Sequence, residues 1–82
     1  MRARVEIRFR PGVLDPEAAA IARALGHLGF AGVRGVRRAK VLEIDLATED
    51  ADAARAEVER MCEVLLANPV IETYRIELLD RG

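Results

Sequence analysis

The side chains able to do chemistry in this 82-residue chain occur singly. His27 is the only histidine and Cys62 the only cysteine. A general base needs a positioned partner, and a zinc site needs three or four ligands. A lone imidazole and a lone thiol complete neither set. His27 reads instead as a helix-end imidazole near the negative end of the dipole. Cys62, beside Met61, reads as a small packing residue. Gly26, Gly29, Gly32 and Gly35 recur at every third position. A phosphate cradle would place strand, glycine loop and helix N-terminus in that order. Here the glycines follow a helix and enter a strand, so they read as a loose connection.

The best polar feature is cationic. Arg34, Arg37, Arg38 and Lys40 cluster in sequence, and Arg8 and Arg10 could join them from a neighbouring strand. Such a strip suits an acidic protein surface, phosphate or RNA; solvated sheet-edge charge is the plain alternative. RNA-binding sheets display aromatics that stack bases. This chain offers only Phe9, Phe30 and Tyr74, without that spacing, so nucleic acid is not an expected partner. The net charge of −1 also argues against nucleic acid and anionic membrane. Glu49, Asp50, Asp52, Glu57, Glu59 and Glu63 read as the wet face of a helix. No apolar run approaches the ~20 residues that span a bilayer. Met1-Arg2-Ala3-Arg4 lacks a signal-peptide core, and one cysteine allows no internal disulfide, so a cytoplasmic location is expected. Serine and glutamine are absent, which fits a heat-adapted source or a biased genome.

These residues must be positioned by one domain, expected over residues 1–82. Arg4 to Arg10 alternates polar and apolar side chains, the pattern of a half-buried strand that Pro11-Gly12 ends. Asp15-Pro16-Glu17 starts a helix with an N-cap acceptor, proline at N1 and an acid in the first turn. Ile21, Leu25 and Leu28 give it a stripe to bury, and Gly29 is the residue past its end. Gly32 to Arg38 reads as a short strand, and Lys40 to Leu46 as a cleaner one, joined by a hairpin around Arg38-Ala39-Lys40. Thr48 or Asp50 caps a second helix running to about Ala67, with Ala54, Val58, Met61 and Leu65 as its buried stripe. Pro69 forbids continuation, and Ile71 to Leu79 is the last strand, with Tyr74, Ile76 and Leu78 on one face.

The order β-α-β-β-α-β predicts an α+β, ferredoxin-like fold, a four-stranded antiparallel sheet with both helices on one face. The other face carries Val41 and Ile71, so pairing with a second copy, as a homodimer or higher oligomer, is expected. A small-molecule-binding regulatory module of this fold is one functional alternative, with Gly32 to Gly35 as its support.

Four segments resemble a known family, the small S subunit (PurS) of phosphoribosylformylglycinamidine synthase. They are Val13-Leu14-Asp15-Pro16, then Val36-Arg37 with Lys40, then Met61-Cys62-Glu63, and last the specific run from Leu65 to Tyr74, Leu65-Leu66-Ala67-Asn68-Pro69-Val70-Ile71-Glu72-Thr73-Tyr74. The family commonly has glycine where this chain has Ala18, and also at Ala39 in the hairpin, so the turn here is expected not to demand a positive φ. The resemblance implies a non-catalytic subunit that carries no cofactor of its own. It assembles with a large subunit that binds ATP and magnesium and with a glutaminase subunit, and it assists ammonia transfer between them. Arg37, Lys40, Asn68, Pro69, Glu72 and Tyr74 lie in the matching motifs and are the expected partner-contact residues.

Overall fold

The computed structural model describes residues 1–79; the last three residues of the expected domain lie outside the described residues. The elements are β1 (Arg2–Phe9), α1 (Pro16–His27), β2 (Ala39–Asp45), α2 (Ala51–Met61), a single π-turn (Cys62–Leu66) and β3 (Glu72–Leu79). The class is α+β, as the sequence implies. β1 lies in the middle of an antiparallel sheet ordered β2-β1-β3.

The alternation in β1 sorts the two faces. Val5 stands between Leu42 and Ile76, and Ala3 between Ile44 and Leu78. Ala3, Val5 and Ile7 are buried in one core with Val58 of α2 and Cys62 of the π-turn. On the other face, Arg2 pairs with Asp45 at 2.8 Å, Arg4 with Glu43 at 2.9 Å and Glu77 at 3.2 Å, and Arg8 with Glu6 at 2.8 Å. Exposed pairs of this kind each contribute at most about 1 kcal/mol. Their larger effect is to make that face hydrophilic, so it needs no second sheet against it. Val41 is there, half exposed, and Leu79 stands opposite Arg2 at the far end.

The surplus apolar surface is on α1. Its ends form as the sequence implies. The Asp15 carboxylate accepts from the backbone N–H groups of Glu17 and Ala18. At the other end, Gly29 (φ +96°) donates to the Gly26 carbonyl and Phe30 to that of Leu25, which is a Schellman cap. Yet the expected stripe is not buried: Ile21 and Leu28 are exposed, Leu25 is half-buried, and Ala18 alone is covered. Helix α1 stands away from the sheet, making at most marginal contact with the strands and α2. The radius of gyration is 16.3 Å, against about 12 Å for a compact chain of this length. Local chemistry holds α1 there. Pro11-Gly12 makes a type II turn, with Gly12 at φ +86° and the Val13 N–H donating to Arg10. Arg38 then grips Asp15 with two hydrogen bonds and pairs with Glu17 at 2.9 Å, tying the helix start to the segment entering β2.

Two further expectations need correcting. Among the described residues the sheet has three strands, not four: Gly32 to Arg38 forms no ladder and the hairpin is absent. Both edges of β1 are occupied, the outer edge of β2 is where the expected hairpin would add this segment, and the Arg38 clamp draws it toward α1 instead. Ala39, inside β2, needs no positive φ. Second, α2 is capped by Asp50 as expected but changes pitch at Cys62, where the Ala67 N–H donates to the Cys62 carbonyl five residues back. The wider turn rotates Leu65 off the stripe to 81% exposure and turns Leu66 partly inward.

The glycines that flank the end of α1 should respond oppositely to alanine. Gly26 is helical with open space around it, so Gly26→Ala should stabilise by about 0.5–1 kcal/mol. Gly29→Ala meets a positive φ and should destabilise by roughly 1 kcal/mol. Urea unfolding at one fixed protein concentration reads both.

Candidate functional site

The residues singled out from the sequence fall into three groups. Asn68, Pro69 and Glu72 come together in the turn between the π-turn and β3. The Asn68 side chain accepts from the Val70 N–H, its own N–H donates to Glu72 at 2.7 Å, and its carbonyl accepts from Ile71 and Glu72. The polar groups of Asn68 and Glu72 are therefore occupied in shaping the turn. What the turn presents outward is apolar: Val64, Leu65 and Val70 are each about four-fifths exposed. Arg10 locks the turn to the sheet. Its guanidinium donates twice to the Pro69 carbonyl, at 3.1 and 2.8 Å, and its N–H donates to Ile71 at 2.8 Å.

Arg37 and Lys40 belong to a second group, Arg37 just before β2 and Lys40 near the start of its ladder, at the end of the sheet where β1 leaves it. An open groove of about 920 Å³ runs between the end of β1, the first half of α1 and residues 35–38. Val13, Ala18, Ala22 and Val36 give it an apolar floor, and Arg8, Arg10, Arg37 and Arg38 line it. The cationic strip does not act as one unit. Arg8 is held by Glu6 and Arg38 by Asp15, whose carboxyl is pulled below its usual range chiefly by that hydrogen bond. Among the described residues, Arg37 and Lys40 form no ion pair and remain exposed. Lys40 stands opposite Ile7, at the rim of the inner sheet face.

Tyr74 stands apart from both groups. It lies on the inner face opposite Ile7, and its hydroxyl donates to the Glu63 carboxylate at 2.7 Å. That bond, with lesser burial and neighbouring charge, pushes the phenol up to about 12. Cys62 is buried in the core, and burial beside Glu63 and Glu59 raises its thiol, which keeps it protonated and unreactive. Among the described residues no three of His, Cys, Asp and Glu converge as a metal site would require. The geometry leaves an exposed apolar turn locked by Arg10, and an open groove in which Arg37 stands without an ion pair among the described residues. Arg10 as the lock was not legible in sequence, because it acts across a separation of 59 residues that only the β1–β3 register brings together.

Comparison with known proteins agrees along the whole fold. A family model described as PurS, phosphoribosylformylglycinamidine (FGAM) synthase, matches residues 2–80. Phosphoribosylformylglycinamidine synthase subunit PurS of Archaeoglobus fulgidus is 46% identical over 76 residues, covering 93% of this chain and 95% of that one. The crystal structure of PurS from Methanocaldococcus jannaschii, one of the subunits of formylglycinamide ribonucleotide amidotransferase in the purine biosynthetic pathway, superposes with a TM-score of 0.84. It is 45% identical, over 93% of this chain and 92% of that chain. A chain in the structure of PurLQS from Thermotoga maritima superposes at 0.76 with 30% identity, over 95% of each.

The single tyrosine makes the Glu63 bond directly measurable. Tyrosinate absorbance should titrate near the 12 set by that bond. In Glu63→Ala the midpoint should fall toward the ordinary value of about 10. Because the folded phenol is raised, the bond's contribution is complete below the unfolded phenol's midpoint. It is lost as pH rises toward the folded one. Circular dichroism at each pH confirms that the chain remains folded.

Proposed function

Because the chain belongs to the PurS family of phosphoribosylformylglycinamidine synthase subunits, we propose that it serves as the non-catalytic small subunit of that enzyme in purine biosynthesis. It bridges the ATP-dependent synthetase subunit and the glutaminase subunit and assists ammonia transfer between them. The observation that carries this reading is the likeness, over nearly its full length, to a chain within the Thermotoga maritima PurLQS structure. The complete enzyme is a glutamine-dependent, ATP-driven C–N ligase; this chain supplies shape to it, and ATP with magnesium belongs to the large partner.

The structure supports the reading physically. A bridge must present fixed surfaces to two proteins, and the Arg10–Pro69 lock with the Asn68–Glu72 bond fixes the turn that carries Val64, Leu65 and Val70. Burying such a knob in a partner pocket gives affinity without new chain ordering. Arg37 and Lys40, free of internal ion pairs among the described residues, meet carboxylates on the partner and set its orientation. Asn68, Pro69 and Glu72 act by shaping the knob, and Tyr74 by holding the end of α2 to β3. Enclosure between subunits keeps ammonia from being protonated and lost to water before it reacts. The homo-oligomer and the ferredoxin-like layout belong to the same reading. So does a cytoplasmic location; among the described residues no helix is long and apolar enough to cross a membrane.

The experiment combines the purified synthetase and glutaminase subunits of one organism with and without this chain. Glutamine-dependent amidotransfer should require the chain, whereas the reaction fed with free ammonia should proceed either way. Equal glutamine-dependent rates in both mixtures would refute the bridging role. Arg37→Ala with Lys40→Ala should weaken assembly about tenfold, ~1.4 kcal/mol, as read by light scattering of the reconstituted complex; unchanged assembly would remove those residues from the interface.

A further inference from the structure

The outer edge of β3 is an open strand with a helix beside it. The Arg10 N–H donates to the Ile71 carbonyl, and backbone direction alternates from residue to residue along a strand. Thr73, Arg75 and Glu77 therefore bond to β1, opposite Arg8, Glu6 and Arg4. The N–H and C=O groups of Tyr74, Ile76 and Leu78 point the other way, and no strand lies beyond them among the described residues. This edge is long and undefended. β3 runs eight residues in unbroken register, without proline or bulge, which makes about 26 Å of pairing surface. Natural edges are usually short, bulged, charged or covered. Here Arg55 alone reaches the edge among the described residues, donating to the Ile76 carbonyl at 3.5 Å, a length at which the bond is weak.

Helix α2 turns the edge into a cleft. Its Ala56, Glu59 and Arg60, with Glu63 and Val64 of the π-turn, stand around an open space of about 470 Å³ beside Tyr74. The Tyr74 hydroxyl takes one oxygen of the Glu63 carboxylate. Among the described residues neither Glu59 nor Glu63 forms an ion pair. β2 has an open edge as well, but α2 packs over β3 and β1, on the other side of the sheet. Val64 joins the cleft to the exposed apolar turn that carries Leu65 and Val70.

We propose that an extended segment of a partner subunit pairs along the outer edge of β3 and lays a lysine or arginine into the cleft. This rests on the bridging role and names the chemistry of one contact within it. The added strand bonds to the outward N–H and C=O groups of Tyr74, Ile76 and Leu78, which gives affinity, while the cleft selects its side chains. Alternate residues of that strand fall on the inner sheet face, beside Tyr74, Ile76 and Leu78. There a long cationic side chain rests its methylenes on Ala56, Val64 and the tyrosine ring and turns its charge to Glu59 and Glu63. Charge decides against a second copy of this chain. Pairing β3 with itself about a two-fold axis would run two α2 helices side by side. Glu59 and Glu63 of both copies would then line one seam, with Arg60 the only cation each brings to it. Like charges so placed are destabilising, whereas a foreign cation neutralises them.

Hydrogen exchange at single-residue resolution tests the edge in the reconstituted complex. The chain is exchanged alone and with the purified synthetase and glutaminase subunits, then quenched and read by fragmentation in the mass spectrometer. Alone, the amides of Thr73, Arg75 and Glu77, bonded to β1, should exchange slowly, and those of Tyr74, Ile76 and Leu78 fast. Assembly should slow the second set at least about tenfold and erase the alternation. Free-chain rates at those amides in an assembled complex would overturn the proposal and leave the bridging role intact. Protection of the same amides in the chain alone, rising with its concentration, would assign the edge to a second copy and overturn it too. Glu59→Lys should weaken assembly about tenfold and leave exchange in the free chain unchanged; undiminished assembly would overturn a cationic occupant. Failure of any complex to form would refute the bridging role and the proposal together.

Discussion

Everything in this fold depends on β1 being paired along both edges while one of its faces is sealed. Ala3, Val5 and Ile7 have essentially no exposure. Burying a valine or isoleucine side chain stabilises by roughly 1.5–3 kcal/mol, well above what an exposed ion pair contributes. Because those residues alternate with Arg2, Arg4, Glu6 and Arg8, a shift of one residue in register would put arginines under α2. The alternation thus fixes register and polarity together. It also explains why the chain can hold a stable sheet while a third of its length lies outside the core.

The division of the arginines follows from the same geometry. Those on the outer sheet face meet carboxylates directly across the strands, where they satisfy the surface and recognise nothing. Arg38 is spent on Asp15 and Glu17, and Arg10 on a backbone carbonyl. A cluster that reads as one patch in sequence is thereby reduced to Arg34, Arg37 and Lys40, which form no ion pair among the described residues. Net charge near zero conceals this, because it counts charges without asking which are already answered.

The sequence was legible where structure is made locally. Asp15-Pro16, Gly29, Asp50 and the Asn68-Pro69 stop all behave as their side chains require. The alternation of β1, β2 and β3 placed the core correctly. It failed where the outcome depends on what lies across space. Ile21, Leu25 and Leu28 have the spacing of a buried stripe, and spacing alone does not say which molecule buries them. Gly32 to Arg38 has strand composition, but the grip of Arg38 on Asp15 and Glu17 holds it toward α1, and the outer edge of β2 stays unpaired among the described residues. Leu65 was assigned inward on a period of 3.6 residues, and the turn that overrides this period has no marker in residue type. In the turn before β3, the shaping residues Asn68 and Pro69 are legible in sequence, while their lock, Arg10, shows only through register.

That widened turn has a consequence for how the chain tolerates change in length. From Cys62 to Leu66 the backbone carries one residue more per turn than an α-helix holds. Loss of any one residue there would let the helix revert to its ordinary pitch with no bond broken. Five residues at the wider pitch sweep about the same angle as four of an α-helix, so everything downstream would keep its orientation and the carbonyl of Pro69 would still face Arg10. A deletion within Glu63-Val64-Leu65 is absorbed by the turn. The same deletion inside α2 would rotate everything after it by about 100°.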